Sequence, residues 1–161
     1  MIIHGVVASS HYTAPSGGGG GGSNPGGGTP PPPSSPAARY VSFGITGANG
    51  GGTTGGGATN SGTFTTTAGA SFSATVGAGG TATFLDRLNN KNVYSYGAGG
   101  ATSFAGYSAA GGGAYPSSTG GSEHPGADGQ VVVLWSVNSD YSTIDGEASY
   151  SAAGTYTITI S

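Results

Sequence analysis

Clusters of glycine set the strongest limit on what this chain can fold into. They lie at residues 50–52, 55–57, 97–100 and 111–113, and short runs rich in threonine, valine and phenylalanine separate them. Glycine loses more backbone entropy on ordering than any other residue. Because 36 of the 161 residues are glycine and few side chains are apolar, we expect neighbouring chains to supply part of the stability.

The runs between the glycine clusters have the patterns of β-strands. Residues 39–46 and 154–160 alternate at period two, which predicts strands with one buried face. The inward positions of these runs are Val41, Phe43, Ile45, Tyr156, Ile158 and Ile160. Residues 130–135 are continuously apolar from Val131 onward, which predicts a strand buried on both faces. No window combines helical periodicity with capping residues, so we expect almost no helix.

Two pairs of short runs predict hairpins. Residues 63–67 and 70–76 are joined around Ala68-Gly69, where glycine suits a tight turn. Residues 82–96 predict a second hairpin with a polar tip at 86–92. The fold class that follows is all-β, with short antiparallel strands, glycine-rich loops and a β-sandwich-like arrangement.

Charge and composition exclude several classes of function. The net charge is −3, and the basic residues are only Arg39, Arg87 and Lys91. Without a basic patch, binding to nucleic acid or to an anionic membrane surface is disfavoured. The absence of cysteine excludes disulfides and thiolate chemistry. No apolar run is long enough to insert in a membrane, and the first residues lack the basic start of a signal peptide.

The composition divides the chain into three parts. Residues 1–13 predict a short anchoring strand, whose apolar residues are Ile2, Ile3, Val6 and Val7. This strand either adds to a partner's sheet or belongs to the protein's own sheet. Residues 14–38 form a linker with a flexible glycine half and a stiff proline half. Residues 39–161 form the glycine-rich β domain.

Neither of the two acidic loops matches a catalytic or metal-binding signature. Residues 123–128 bring together Glu123, His124 and Asp128, but the spacing is not that of a known ligand set. Residues 140–147 carry three carboxylates in an order that differs from a calcium loop. We therefore expect polar loops at both places, no metal, no cofactor, no catalytic residue and no enzymatic activity.

Binding residues are better represented than catalytic ones. Tyrosine among glycine and serine is typical of adaptable binding loops, because it supplies contact area at low entropic cost. The hairpin tip adds amides and charges that hydrogen-bond well to glycans. The candidate ligand-binding residues are Asn89, Asn90, Lys91, Asn92, Tyr94, Tyr96, Tyr107 and Tyr115. The alternative for each tyrosine is packing against the sheet or over glycine.

Residues 44–135 also resemble a known family. The motifs that carry the resemblance are Gly62–Gly69 leading into Ser71–Gly80, then Ala101–Gly106, Ser108–Gly113 and the closing Gly126–Trp135. They are similar to the glycine-rich domains of bacteriophage tail-fibre and tail-tip proteins. The resemblance implies glycine runs in polyproline-II-like helices that pack against one another, with loops at the tip that bind the host surface.

The expected function is that of a bacteriophage virion protein of the fibre or adhesin type. It would be exposed on a particle assembled in the host cytoplasm, fastened to other virion proteins through residues 1–13, and part of a homo-oligomer or larger assembly. Its ligand would be a host-surface glycan or protein. The alternatives are a capsid decoration or head-fibre subunit, and a secreted glycine-rich structural or ice-binding protein. A hydrolase would need the fold to bring a pair of carboxylates together.

Overall fold

The computed structural model of the chain describes residues 34–52, 55–119 and 123–161. All of them belong to one compact unit, Ser34–Ser161. The predicted anchoring strand with Ile2, Ile3, Val6 and Val7, and most of the predicted linker, lie outside the described residues.

The regular structure of the described residues consists of β-strands alone. The strands are β1 (Ala38–Thr46), β2 (Thr59–Thr67), β3 (Ser71–Val76), β4 (Ala82–Leu88), β5 (Lys91–Tyr96), β6 (Thr102–Phe104), β7 (Tyr107–Ala109), β8 (Ser118–Thr119), β9 (Gln130–Ser136), β10 (Gly146–Tyr150) and β11 (Gly154–Thr159). They form antiparallel sheets in the orders β10-β9-β1-β2, β11-β3-β6-β7 and β4-β5-β8. The predicted all-β class and the absence of helix are confirmed for this part of the chain. The sandwich-like arrangement stays a prediction.

The two four-stranded sheets contribute to one hydrophobic core. Val41, Phe43 and Ile45 of β1 are buried in it as the alternation predicts, and so are Ile158 and Ile160 at the end of the chain. The core residues are Val41, Phe43, Ile45, Ala74, Val76, Phe104, Ala109, Val131, Val133, Trp135, Ile158 and Ile160. Burying each of the larger apolar side chains stabilises the fold by about 1.5–3 kcal/mol.

The predicted hairpin across Ala68-Gly69 is wrong. Strand β2 pairs with β1, whereas β3 pairs with β11 and β6, so the chain passes from one four-stranded sheet to the other. The turn is compatible with both outcomes, because Gly69 has a φ of +88°. The partners of the turn decide: Ala68 N–H donates to Ala37, the residue before β1, and Gly69 N–H donates to Ile160, the residue after β11.

The prediction that residues 130–135 are buried on both faces is also wrong. In β9, Val131, Val133 and Trp135 point into the core, but Val132 and Leu134 are only half-buried. Their neighbours across the β1 pairing, Gly44 and Ser42, carry little or no side chain. The outer face of this sheet therefore has a groove of about 450 Å³ rather than a second core.

The predicted hairpin over residues 82–96 is confirmed as β4 and β5. Its turn is Asn89-Asn90, with φ of 50° and 61°, the left-handed values that a two-residue hairpin loop requires. The register shifts between Phe84 and Asp86, where a β-bulge interrupts the pairing. A second tight hairpin joins β6 to β7, with its turn at Ala105-Gly106.

Beyond β1, residues 47–52 form a segment with a different hydrogen-bond pattern, which we call the central segment. Its N–H groups donate in turn to residues 55–58, 97–100 and 124–127, and the order then repeats. The donor–acceptor pairs are Gly47–Ala58, Ala48–Gly100, Asn49–Ala127, Gly50–Gly55, Gly51–Gly97 and Gly52–His124. A repeat of three residues is the period of a polyproline II helix, which has no internal hydrogen bonds and turns its amides outward.

Two further segments donate to carbonyl groups of the central segment. Gly112 donates to Ala48, Tyr115 to Gly51, and Gly80 to Asn49. The outer segments are therefore 55–58, 77–80, 97–100, 110–115 and 124–129. Backbone bonds also join them side by side in the order 55–58, 110–115, 97–100, 77–80, 124–129, through Ala58–Ala110, Gly99–Gly112, Gly100–Ala78 and Gly126–Gly80. We call the central and outer segments together the glycine lattice.

Close approach of backbones is what requires glycine in this lattice. A Cβ on Gly112 would overlap the carbonyl oxygen of Gly55, whereas a Cβ on the adjacent Gly113 would meet nothing within 4 Å. Gly112 is buried and Gly113 is exposed. The segments pack backbone against backbone, so a single methyl group is enough to force them apart.

We expect Gly112→Ala to destabilise the protein and Gly113→Ala to leave its stability nearly unchanged. Overpacking a tight site costs about 1–3 kcal/mol or more, and exposed substitutions without such contacts stay within about 0.5 kcal/mol. Chemical denaturation of the two variants measures the difference. Equal free energies of unfolding would show that this part of the lattice is not closely packed.

A candidate binding surface on the β4–β5 hairpin

Along the chain, two segments of the glycine lattice connect core strands to the three-stranded sheet β4-β5-β8. Residues 77–80 lead from core strand β3 into β4, and residues 97–100 lead from β5 back to core strand β6. These two outer segments are hydrogen-bonded through Gly100 N–H to Ala78, and Gly97 N–H donates to Thr81, the residue between 77–80 and β4. The β4–β5 hairpin is therefore held at its base by the lattice.

The tip of the hairpin brings four predicted binding residues together. Asn89 and Asn90 form the turn, and Lys91 and Asn92 begin β5; all four are exposed. Asp86 and Arg87 of β4 are exposed as well, and the Asp86 carboxylate accepts the Arg87 backbone N–H at 2.6 Å. The tip thus offers amide and cationic donors together with carbonyl and carboxylate acceptors to a ligand.

A row of aromatic rings runs along one face of the hairpin toward the lattice. Phe84 meets Tyr94 edge-on at 5.7 Å between ring centroids. Tyr94 stacks on Tyr96 at 6.3 Å, and Tyr96 meets Tyr115 edge-on at 6.2 Å. These are the offset and edge geometries that aromatic pairs prefer. We call Phe84, Tyr94, Tyr96 and Tyr115 the aromatic row.

The lattice fixes the lower end of the aromatic row. Tyr115 N–H donates to the Gly51 carbonyl at 3.2 Å. A Cβ on Gly52 would overlap the Cβ of Tyr115, and a Cβ on Gly51 would lie 3.3 Å from the Cβ of Tyr96. Both tyrosines therefore sit directly against the glycine backbone, and their positions are set by the central segment.

The structure does not gather all the predicted tyrosines. Tyr94, Tyr96 and Tyr115 join the row, but Tyr94 is only 8% exposed and serves mainly as packing. Tyr107 lies elsewhere, on β7, where its ring packs on core residue Phe43 at 4.6 Å. For Tyr94 and Tyr107 the packing alternative therefore describes the observed contacts.

Sequence reasoning missed the apolar part of this surface. Phe84, Leu85 and Leu88 are 53%, 57% and 54% exposed, although they are large apolar residues in a strand. The bulge at Leu85 breaks the alternation that would otherwise assign one of them to a buried face. In the sequence, Phe84-Leu85 directly precedes the polar run 86–92. This pattern predicts a hairpin, but it does not predict that the apolar side chains are exposed.

The carboxylates of the two acidic loops accept hydrogen bonds from backbone N–H groups of the chain. Asp128 accepts the N–H groups of Gly79 and Ala153, each at 2.8 Å, and these bonds lower the pKa of its carboxyl. Asp140 accepts the N–H of Ser142, which lowers its pKa, and Asp145 accepts the N–H of Val137. Among the described residues no group of three metal-ligating side chains occurs.

Comparison with protein-family models, with curated proteins and with solved structures finds no match to this chain. The described residues contain no helix long and apolar enough to cross a membrane.

We expect Asp128→Asn to lower the melting temperature at neutral pH, because an amide keeps one acceptor oxygen and turns the other position into a donor. The folded state lowers the pKa of Asp128, so its contribution is present above the unfolded pKa of about 3.9 and is lost as pH falls through the folded value. Thermal unfolding from pH 7 to pH 2.5 checks this. The difference between the two proteins should shrink as the pH falls, and a constant difference would contradict the assignment.

Proposed function

We propose that this chain is a non-enzymatic bacteriophage virion protein of the fibre or adhesin type, which attaches to the host surface through the β4–β5 hairpin. The observation that supports this best is the aromatic row next to an exposed polar tip, both held by the glycine lattice. The proposal places the protein on the outside of the particle, fastened to other virion proteins through residues 1–13 and present as an oligomer or in a larger assembly.

The chemistry of the surface suits a glycan. Sugar rings have apolar faces that pack on aromatic rings, and the exposed Phe84 and Tyr115 supply such rings. Sugar hydroxyls need donors and acceptors, which the side chains of Asn89, Lys91 and Asn92 supply at the tip. A host protein with exposed polar loops would meet the same groups.

Rigidity favours recognition by this surface. Ordering a flexible loop on binding costs about 0.5–1.5 kcal/mol for each immobilised side chain. Tyr96 and Tyr115 are already seated on the glycine backbone, and the two-residue turn fixes the tip. A ligand would therefore lose little binding free energy to reorganisation of the protein.

The test is binding of the full chain to whole bacterial cells and to isolated surface polysaccharide. We expect saturable binding that Tyr115→Ala weakens about tenfold, the effect of losing one contact of roughly 1.4 kcal/mol. Asn89→Asp and Lys91→Gln, which change the charge of the tip, should weaken binding as well.

The matched control is Tyr107→Ala. Tyr107 and Tyr115 are 40% and 38% exposed, but only Tyr115 belongs to the aromatic row. Each variant is first shown to unfold cooperatively, since Tyr107 also packs on Phe43. Equal loss in both folded variants, or no binding by a folded wild-type chain, would count against the hairpin as the attachment site.

A specific observation favours the alternative of an ice-binding surface. Thr155, Thr157 and Thr159 of β11 are exposed in one row. They lie beside Thr75, Ser73 and Ser71 of β3, and the Ser71 and Thr159 hydroxyls are hydrogen-bonded at 2.8 Å. This gives two neighbouring rows of hydroxyls on one sheet face, which could order water.

An ice recrystallisation assay separates the two functions. We expect no inhibition by the full chain, because the hydroxyl rows extend over only three positions each. Inhibition that disappears in Thr157→Leu, but persists in the hairpin variant Tyr115→Ala, would favour the ice-binding alternative over attachment to the host.

A further inference from the structure

We propose that the glycine lattice has one open position, which binds an extended glycine run of another polypeptide. The five outer segments surround the central segment on all sides but one. Backbone bonds join each outer segment to the next, but among the described residues none joins 55–58 to 124–129. This inference does not depend on the host-attachment proposal, because it rests on a different part of the molecule.

A groove occupies the place between these two segments. It has a volume of about 440 Å³ and opens to solvent. Its walls are Gly55 and Gly56 on one side, Pro125, Gly126 and Ala127 on the other, and Asn49, Gly50 and Gly52 of the central segment at its base. The groove is therefore lined almost entirely by backbone and by residues with small side chains.

The hydrogen-bond directions around the central segment indicate which kind of neighbour would fit the open position, a donor or an acceptor. A helix with three residues per turn directs its N–H groups in three directions and its carbonyl groups in three others. Around the lattice, segments that accept from the central segment alternate with segments that donate to it. The alternation begins and ends with acceptors, at 55–58 and 124–129, so the open position between them is that of a donor.

The carbonyl groups that belong to this direction are those of Gly47 and Gly50. Ala48 and Gly51 accept from residues 110–115, and Asn49 accepts from Gly80. No N–H group in the described part of the chain donates to Gly47 or Gly50. An incoming segment would donate its N–H groups to these carbonyls, as Gly112 and Tyr115 do to Ala48 and Gly51.

The lattice also selects the occupant. At Gly79, Gly112 and Gly126, inside the lattice, an added Cβ would overlap a backbone carbonyl of the neighbouring segment. A segment in the sixth position would approach the lattice as closely, so we expect glycine at its inward positions, as at the donors Gly80 and Gly112; Tyr115, at the end of its segment, is the larger donor. Two turns of such a helix are about six residues and span roughly 19 Å. An uninterrupted run of glycine meets this requirement however the helix is rotated about its axis, because every inward residue is then glycine.

The probe is a peptide with six consecutive glycines, flanked by serine and by one lysine for solubility. The protein is the full chain with Gly17→Ser through Gly22→Ser, so that its own six-glycine run does not compete. Backbone amide spectra of the ¹⁵N-labelled protein report binding at single residues. We expect saturable shifts at the groove residues Asn49, Gly50, Gly52, Gly55, Gly56, Gly126 and Ala127, with a dissociation constant of about 1 mM or tighter.

Two control comparisons make the result specific. A peptide with six alanines should not bind, because its methyl groups would meet the lattice backbone. Gly56→Val places a side chain at the groove, where a Cβ meets nothing within 4 Å, and should weaken binding at least tenfold without unfolding the protein. Gly113→Val is its match, since a Cβ there is equally free but lies outside the groove.

The proposal fails under any of the following outcomes. These are no saturable shifts with the glycine peptide at 10 mM (roughly ten times the expected constant), equal binding of the alanine peptide, or equal effects of Gly56→Val and Gly113→Val. Shifts confined to the aromatic row would place the peptide on the hairpin and would likewise overturn it. Binding to the wild-type chain that is weaker than to the serine variant supports the proposal, since a chain's own glycines then compete for the groove.

Discussion

The backbone hydrogen bonds of the central segment are the interaction on which the described structure depends. Residues 47–52 continue directly from β1, and the segments that surround them continue from, or lead into, strands of all three sheets. Each such bond contributes only about 0.5–1.5 kcal/mol net, but an unpaired buried amide costs more. The lattice stabilises the fold because so many backbone groups are satisfied at once, in a chain with few apolar side chains to bury.

In this arrangement the hydrophobic core that stabilises the fold and the exposed β4–β5 hairpin are different parts of the protein. The hydrophobic core, to which both four-stranded sheets contribute, contains the large apolar side chains, such as Phe104 and Ile160. The hairpin has almost no buried residue of its own, apart from Tyr94. It keeps its position because residues 77–80 and 97–100 anchor its two ends side by side, so its surface side chains need not contribute to folding.

The sequence predicts the faces of strands better than their partners. Alternation placed Val41, Phe43 and Ile45 in the core correctly, because the side-chain period of a strand is a property of the strand alone. It could not show that β2 and β3 belong to different sheets, since Ala68-Gly69 suits either turn. The placement of β2 and β3 in different sheets depends on the contact of Phe64 with Phe72, whose ring centroids are 5.2 Å apart. It also depends on backbone partners far away in the chain.

The resemblance implied glycine runs that pack against one another, but the arrangement of the segments in the glycine lattice was harder to foresee, for the same reason. Its order lies in the directions of N–H and carbonyl groups, which every residue has, so no side-chain pattern marks it. The sequence does contain the steric requirement: glycine recurs where a Cβ would overlap a neighbouring backbone, and the one large side chain of the central segment, Asn49, is exposed. In such a structure a missing neighbour leaves open carbonyls rather than exposed apolar surface. In the proposal made above, the edge of the lattice would therefore select another backbone, whereas the aromatic row would suit a ligand with apolar faces, and the two surfaces need not compete.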